Sequence, residues 1–270
     1  MISALPLLET PDVRVTVFEC SGSHRGWSPE EDTAEFTLML VQEGSFRRLA
    51  EGVEMFADGL TAYLERAGSI QRIAHPCGGD VCTAIGLSEH AVESVAGLQN
   101  LRTDALFHID TAAHLEHRLL INRQRVGAHD EELVERTLLL AGRVLSSLGS
   151  PTHSGPAVRA SRRHLAERTR EALREAPRLS VRELAASLDV SMYHLCRVFK
   201  EATGMTVAGY RSRIRASMVV DGIMSEDTSL SGLAAEIGFA DQPHMNRTIR
   251  RHTGFTPGQL RAITSGPGTS

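Results

Sequence analysis

The fold of this chain is decided by residues 229–257, which read SLSGLAAEIGFADQPHMNRTIRRHTGFTP. The apolar positions of the first part lie on one face of a helix that ends at Gly238, where a residue with positive φ would be tolerated. Asp241 then marks the start of a second helix, because its carboxylate can cap free backbone N–H groups and Pro243 is tolerated in a first helical turn. The stretch therefore predicts a helix, a short turn and a second helix.

An equivalent pattern occurs earlier, in residues 180–206, SVRELAASLDVSMYHLCRVFKEATGMT. Ser180 and Glu183 have the spacing of a capping box, and Asp189-Val190-Ser191 supplies the turn. The matching positions of the two copies are 49 or 50 residues apart: Leu184-Ala185-Ala186 with Leu233-Ala234-Ala235, Arg197 with Arg247, Thr203-Gly204 with Thr253-Gly254, and Thr206 with Thr256. One supersecondary unit is therefore repeated.

The second helix of each copy has two chemically different faces. At about 100° per residue, the inward face holds Leu195, Val198, Phe199 and Ala202 in the first copy, and Met245, Ile249 and His252 in the second. The outward face carries Tyr193, Cys196, Arg197 and Lys200 in the first copy, and Asn246, Arg247 and Arg250 in the second. Because arginine suits guanine and asparagine suits adenine in the major groove, we expect these two faces to read DNA.

Several strings in these copies are similar to one known family. They are Ile237-Gly238-Phe239, Gln242, Arg247 and Thr253-Gly254-Phe255-Thr256-Pro257 in the second copy, and His194-Leu195, Arg197 and Phe199-Lys200 in the first. Residues from about 178 to 262 thereby resemble the double helix-turn-helix domain of the AraC/XylS family of bacterial transcription regulators. The resemblance implies a monomer that places two recognition helices in successive major grooves on one side of the duplex. A helix over residues 207–224 would be about 27 Å long, which can hold two units roughly one DNA turn, about 34 Å, apart.

The resemblance also implies which side chains contact DNA. Base contacts are expected from Tyr193, Cys196, Arg197, Gln242, His244, Asn246 and Arg247, and phosphate contacts from Lys200, Arg250 and Arg251. The chain departs from the family at Met245 and Ile249, where aromatic residues are common. The alternative for Arg197 and Arg247 is that they pair with acidic residues of the same domain.

The first half of the chain has a different pattern. Short β-favouring runs separated by glycine-containing breaks occur at Val13–Phe18, Phe36–Val41, Leu60–Leu64 and Val81–Ile85. These runs predict an antiparallel β-barrel over residues 10–90, and helical periodicity predicts helices over 104–148. The predicted architecture is an α+β multidomain chain: a domain over 1–148, a linker over 149–158 and an all-α domain over 159–265.

Charge divides along the same boundary. Residues 1–156 hold 12 Lys and Arg against 22 Asp and Glu, a net of −10, whereas residues 157–270 hold 17 against 11, a net of +6. The basic half favours a polyanionic partner. A membrane span and a secretory signal are not expected, and the 4 cysteines are too few for a disulfide framework. These features predict the cytoplasm.

For the acidic half, the resemblance implies a cupin-like barrel that binds a small effector, followed by helices that form a homodimer. Trp27, Tyr63 and His75 are the candidate effector contacts, because amphipathic rings can shape an apolar site with polar tips; the alternative is that they are core or rim residues. The stripe Leu133, Thr137, Leu140, Val144 and Leu148 either pairs with a second copy, which we expect, or packs onto the barrel.

A metal site is a less favoured hypothesis, and no cofactor is identified. Thiols and imidazoles at Cys20, His24, His75, Cys77 and Cys82 could hold zinc or act as a redox pair, but their spacings match no standard closed zinc site. No constellation of nucleophile, base and metal supports an enzyme. The sequence thus predicts a transcription regulator that binds double-stranded DNA and an effector, with RNA polymerase as a further candidate partner; the alternatives are an enzyme with a DNA-binding tail and an architectural protein.

Overall fold

The computed structural model describes residues 2–22, 26–33, 35–76, 78–96, 106–146, 156–224 and 229–264. The chain divides into two compact units, unit 1 over Met1–Gly149 and unit 2 over Ser150–Ser270. The predicted linker over 149–158 lies mostly outside the described residues and stays a prediction. Among the helices in the described ranges, none combines the length and the apolar character that crossing a bilayer requires.

Unit 1 consists of antiparallel strands followed by helices. Its strands are β1 Ile2–Glu9, β2 Val13–Cys20, β3 Glu31–Asp32, β4 Thr37–Glu43, β5 Ser45–Ala50, β6 Val53–Asp58, β7 Thr61–Glu65, β8 Ile70–Ala74, β9 Asp80–Leu87 and β10 Leu106–His108. One sheet has the order β1-β2-β9-β4-β7-β10 and the other β3-β8-β5-β6. The helices are α1 Glu89–Ala96, α2 Thr111–Arg125 and α3 Asp130–Ser146.

The predicted fold class is confirmed for unit 1, with strands divided between two sheets. The four predicted runs correspond to β2, β4, β7 and β9. Strand β5 was not predicted because its centre is Arg47-Arg48, which breaks the apolar alternation typical of strands. Arg48 is nevertheless only 1% exposed, since its Nε donates to Gln71 Oε1 at 2.6 Å and its guanidinium lies over the ring of Tyr63.

The stripe on α3 packs inside unit 1, so the prediction that it forms a dimer surface is wrong for the described residues. Leu133, Thr137, Leu140 and Val144 are each at most 3% exposed. The three apolar side chains belong to one core cluster with residues of β4, β7 and β9. The stripe is buried because the sheet also presents an apolar face, and covering it removes both surfaces from water. Leu148 lies outside the described residues.

Unit 2 is all-α, as predicted. Its helices are α4 Pro156–Glu175, α5 Val181–Ser187, α6 Met192–Thr203, α7 Val207–Met224, α8 Leu230–Ile237, α9 Gln242–Thr253 and α10 Pro257–Thr264. The two helix-turn-helix units are α5 with α6 and α8 with α9. The capping box of Ser180 and Glu183 is present, and Asp241 caps α9. Gly238 has a φ of 88°, which confirms the predicted positive φ at this turn.

Helix α7 joins the two helix-turn-helix units at its predicted boundaries. Within unit 2, α7 packs against α4 and α6, which precede it, and against α8, α9 and α10, which follow it. Tyr210, Ile214, Val219 and Val220 are fully buried along it. Because both copies share this one helix as core, their relative placement is determined by packing rather than by a flexible linker.

Candidate nucleic-acid interface

Helix α6 presents its predicted outward face to solvent. The hydroxyl of Ser191 accepts from the backbone N–H of His194 at 3.2 Å and so starts the helix. Leu195, Val198 and Phe199 are fully buried on the opposite side. The predicted DNA-facing residues, Tyr193, Cys196, Arg197 and Lys200, are all exposed, Tyr193 by 77%. The arrangement leaves donors and one aromatic ring on a single free face.

Helix α9 repeats this arrangement. Asp241 Oδ1 accepts from the backbone N–H of His244 at 2.6 Å. Met245 and Ile249, the two departures from the family pattern, are fully buried and fill the inward face without aromatic rings. The exposed side chains are His244, Arg247, Arg250 and Arg251, and the half-buried ones are Gln242 and Asn246.

Of the predicted base contacts on α9, His244 packs against another side chain of the protein and Asn246 is partly buried. The ring of His244 packs edge-on against Phe239, with centroids 5.4 Å apart. The Oδ1 of Asn246 is buried and has no hydrogen-bond partner within the described ranges. Phe239 thus orients His244, while Asn246 must turn outward before its amide can meet a base.

Arg197 approaches an acidic residue, but the contact is weak. Its Nη1 lies 3.8 Å from Glu201 Oε1, and its side chain remains 42% exposed. The other oxygen of Glu201 accepts from Arg162 Nη1 of α4 at 2.9 Å. Exposed pairs of this type contribute about 0–1 kcal/mol, so a base or phosphate can displace Glu201 from Arg197.

A cluster of three arginines connects the two helix-turn-helix units. From α7, Arg211 Nη1 donates to the carbonyl of Leu179 at 2.5 Å and Arg215 Nη2 donates to that of Pro177 at 2.9 Å. Between these two acceptors, Arg178 reaches across to donate to the backbone carbonyls of Ala235 and Glu236 at the end of α8. Burial, then the neighbouring Arg211 and Arg178, lower the pKa of Arg215. These contacts tie the segment before α5 to both α7 and the end of α8.

Sequence reasoning missed this arginine cluster. The only local signal is the spacing of Arg211 and Arg215, which places both on one face of α7. Their acceptors lie 32 and 38 residues away in sequence, so the contacts follow from tertiary packing.

The candidate effector contacts lie in unit 1 in different surroundings. Trp27 is half-buried in the segment before β3, whereas Tyr63 and His75 are 2% and 8% exposed. Tyr63 and His75 both pack against Phe46, at centroid distances of 6.1 and 6.0 Å. Burial raises the pKa of the Tyr63 phenol well above its usual value. A small apolar cleft lies elsewhere in unit 1, lined by Leu7, Leu8, Val15, Leu120, Gln124 and Leu133.

Comparisons with known proteins support the helix-turn-helix assignment. Residues 184–263 match a family model described as a helix-turn-helix domain. The HTH-type transcriptional regulator RipA of Corynebacterium glutamicum is 32% identical over 95 residues, which cover 35% of this chain and 28% of RipA. The HTH-type transcriptional activator RhaS of Klebsiella pneumoniae is 30% identical over 79 residues, 29% of this chain and 28% of RhaS. The crystal structure of ToxT from Vibrio cholerae aligns at 10% identity with a TM-score of 0.38, covering 96% of this chain and 100% of ToxT.

The matched family model, the two named regulators and the geometry together define unit 2 as a double helix-turn-helix DNA-binding domain. The match over residues 184–263 and the two named regulators agree with the AraC/XylS resemblance given by the sequence. The matched segment spans only about 28% of the length of the two named regulators.

Proposed function

We propose that this protein is a sequence-specific DNA-binding transcription regulator. The observation that carries the proposal is the equivalence of Arg197 and Arg247: both are exposed, at matching positions of two capped helices that share α7 as a common core. An isolated exposed arginine is ordinary, but two at the same position of a repeated unit are suited to two equivalent contacts. RipA and RhaS are both regulators of transcription, which supports a non-enzymatic role.

In the proposed complex, α6 and α9 lie in successive major grooves. Arg197 and Arg247 contact base edges, where a bidentate arginine discriminates guanine by about 1–3 kcal/mol. Lys200, Arg250 and Arg251 contact phosphates and release counterions, so they add affinity that does not depend on sequence. The net charge of +6 over residues 157–270 favours this encounter.

The test uses the full chain and a DNA site that it selects from a pool of randomised duplexes. In anisotropy titrations at two salt concentrations, Arg247→Ala and Arg197→Ala should each weaken binding to the selected site by about 1–3 kcal/mol. Lys200→Ala and Arg250→Ala should each reduce the salt slope by about one. Arg168→Ala is the matched control, since Arg168 is exposed on α4, outside both helix-turn-helix units. Unchanged binding for all four variants would refute the proposal.

We further propose that unit 1 binds a small effector, and that binding shifts the population of states that present unit 2 to DNA or to RNA polymerase. The antiparallel two-sheet fold agrees with the cupin-like domain implied by the resemblance. An effector at 100 times its Kd stabilises the native chain by about 2.7 kcal/mol, so a thermal-shift screen of metabolites detects it. Trp27→Ala should reduce the shift; a screen without any stabilising compound would contradict the proposal.

A homodimer is the third part of the proposal, and its surface must differ from the buried stripe on α3. Sedimentation of the full chain at micromolar concentration, with and without DNA, tests it. A dimer is expected, and a monomer under both conditions would exclude it.

A further inference from the structure

Three potential metal ligands project from one face of the six-stranded sheet. Strands β2 and β9 pair with Cys20 directly opposite Asp80, and directly opposed residues share a face. Cys82 lies two residues further along β9, so its side chain is on the same face. The register alone therefore gathers two thiols and one carboxylate at one end of the β2–β9 pair.

The other sheet supplies an imidazole to the same place. His75 directly follows β8, and its Nδ1 lies 3.9 Å from Cys20 Sγ. Its Nε2 lies 2.5 Å from Asp80 Oδ1. The second carboxylate oxygen, Oδ2, accepts from Cys82 Sγ at 2.9 Å. One ligand atom each from Cys20, His75 and Asp80 lie within 4.8 Å of one another.

The surroundings hold this cluster in place and keep it largely dry. His75 and Asp80 are each 8% exposed, Cys82 is 3% exposed and Cys20 is half-buried. Gly79 packs so closely that an added Cβ would lie 2.2 Å from the carbonyl oxygen of Cys20. Buried charged groups in proteins are paired or coordinate metals. Here the carboxylate of Asp80 lies beside the imidazole of His75, and a thiol, which is a soft metal ligand, is close to both.

We propose that Cys20, His75 and Asp80 form a binding site for Zn²⁺ in unit 1, with the Cys82 thiol orienting Asp80. Thiolate, imidazole and carboxylate are the ligands that zinc takes in proteins, and three of them leave a fourth position for water. Neighbouring ligands around tetrahedral zinc are about 3.3–3.8 Å apart, and the three donor atoms lie within 4.8 Å of one another. Side-chain movements of about an ångström, with one ring nitrogen of His75 turned to the ion, therefore bring the three donors into range. The ion would connect β2 and β9 of one sheet to the end of β8 in the other.

This site is independent of the proposed DNA-binding function. The sequence hypothesis of a zinc site named Cys20, His75 and Cys82 but not Asp80; His24 and Cys77 lie outside the described residues. Asp80 enters only through the strand register, which brings together residues 60 positions apart.

The experiment measures zinc directly on the full chain. The protein is stripped with a chelator, kept reduced, and titrated with ZnCl₂ against a chromophoric competitor, with bound metal counted by mass spectrometry. We expect one equivalent of zinc and a rise in Tm, because zinc binds the folded state. Cys20→Ser and Asp80→Asn should each weaken zinc binding by at least about 10-fold.

Matched variants separate ligation from folding. Cys82→Ala removes the donor to Asp80 and should weaken binding by about 10- to 100-fold, whereas Cys82→Ser keeps a donor and should restore much of it. Glu93→Gln, at an exposed carboxylate of α1, is the matched control for Asp80→Asn and should bind zinc as the parent does. Co²⁺ in place of Zn²⁺ should give a thiolate charge-transfer band that Cys20→Ser abolishes. Absence of stoichiometric zinc, or binding that survives both Cys20→Ser and Asp80→Asn, would overturn the proposal.

Discussion

Arg197 and Arg247 stand at the same position of their helices, but the residues beside them differ. With an offset of 50 residues, Lys200 and Glu201 of α6 correspond to Arg250 and Arg251 of α9. At this position α6 carries the acidic Glu201, which pairs with Arg162, whereas α9 carries a further basic residue, Arg251. We expect α9 to supply more of the phosphate contact and α6 to depend more on its base contacts.

His252 is a residue whose titration should affect unit 2. Its Nε2 lies 3.0 Å from Ser212 Oγ of α7, and burial, then Arg213 and Arg251, lower its pKa. The folded state thus resists protonation, whereas the unfolded chain takes up the proton near the usual pKa of about 6.5. The contribution of His252 to the free energy of unfolding is therefore fully present above about pH 6.5 and is lost as the pH falls below that value.

The prediction is a larger loss of stability in the parent than in His252→Gln between pH 7.5 and 5.5, since glutamine can bond Ser212 without titrating. Urea midpoints of the full chain at the two pH values measure this difference. Equal losses in the two proteins would show that His252 does not contribute.

At the scale of elements, the arginine cluster matters because it joins helices that are distant in sequence. Arg178 donates to the last turn of α8, whose carbonyls have no partner within the helix. Gly238, directly after α8, lies so close to Arg178 that an added Cβ would be 2.8 Å from its Cγ. The end of α8 thus packs closely against Arg178. Because the turn that leads into α9 follows directly, we expect Arg178 to help position α9.

Arg178→Ala should therefore weaken binding to the selected DNA site although Arg178 is not on a recognition helix. It removes the bonds from the Arg178 guanidinium to two backbone carbonyls of α8, so the Tm should also fall. Circular dichroism melting and anisotropy check both effects, with Arg168→Ala as the control. A variant with a lowered Tm but parental DNA affinity would show that the cluster stabilises unit 2 without positioning α9.

For the whole molecule, the features that could be predicted from the sequence are those that depend on residues close together in the chain. The caps at Ser180 and Asp241, the glycine turn at Gly238 and the bounds of α7 follow from residues within a few positions of one another. The sheet order and the side of α3 that is buried depend on contacts between distant segments.

The candidate sites follow the same division. The exposed faces of α6 and α9 were predicted from helical periodicity alone. The arginine cluster was not predicted, nor was the place of Asp80 beside Cys20 and His75, because each is assembled by register or by packing across the fold. The burial of Arg48 in β5 could not be predicted for the same reason, because its hydrogen-bond acceptor, Gln71, lies on another strand.

The most direct test of the two-groove model compares base preferences of the parent, Arg197→Ala and Arg247→Ala by selecting sites for each from the same randomised pool. Each variant should lose preference at one position, and the two positions should lie about one helical turn, about 10 base pairs, apart. Loss at the same position, loss at neighbouring positions, or unchanged preferences in both variants would contradict the account.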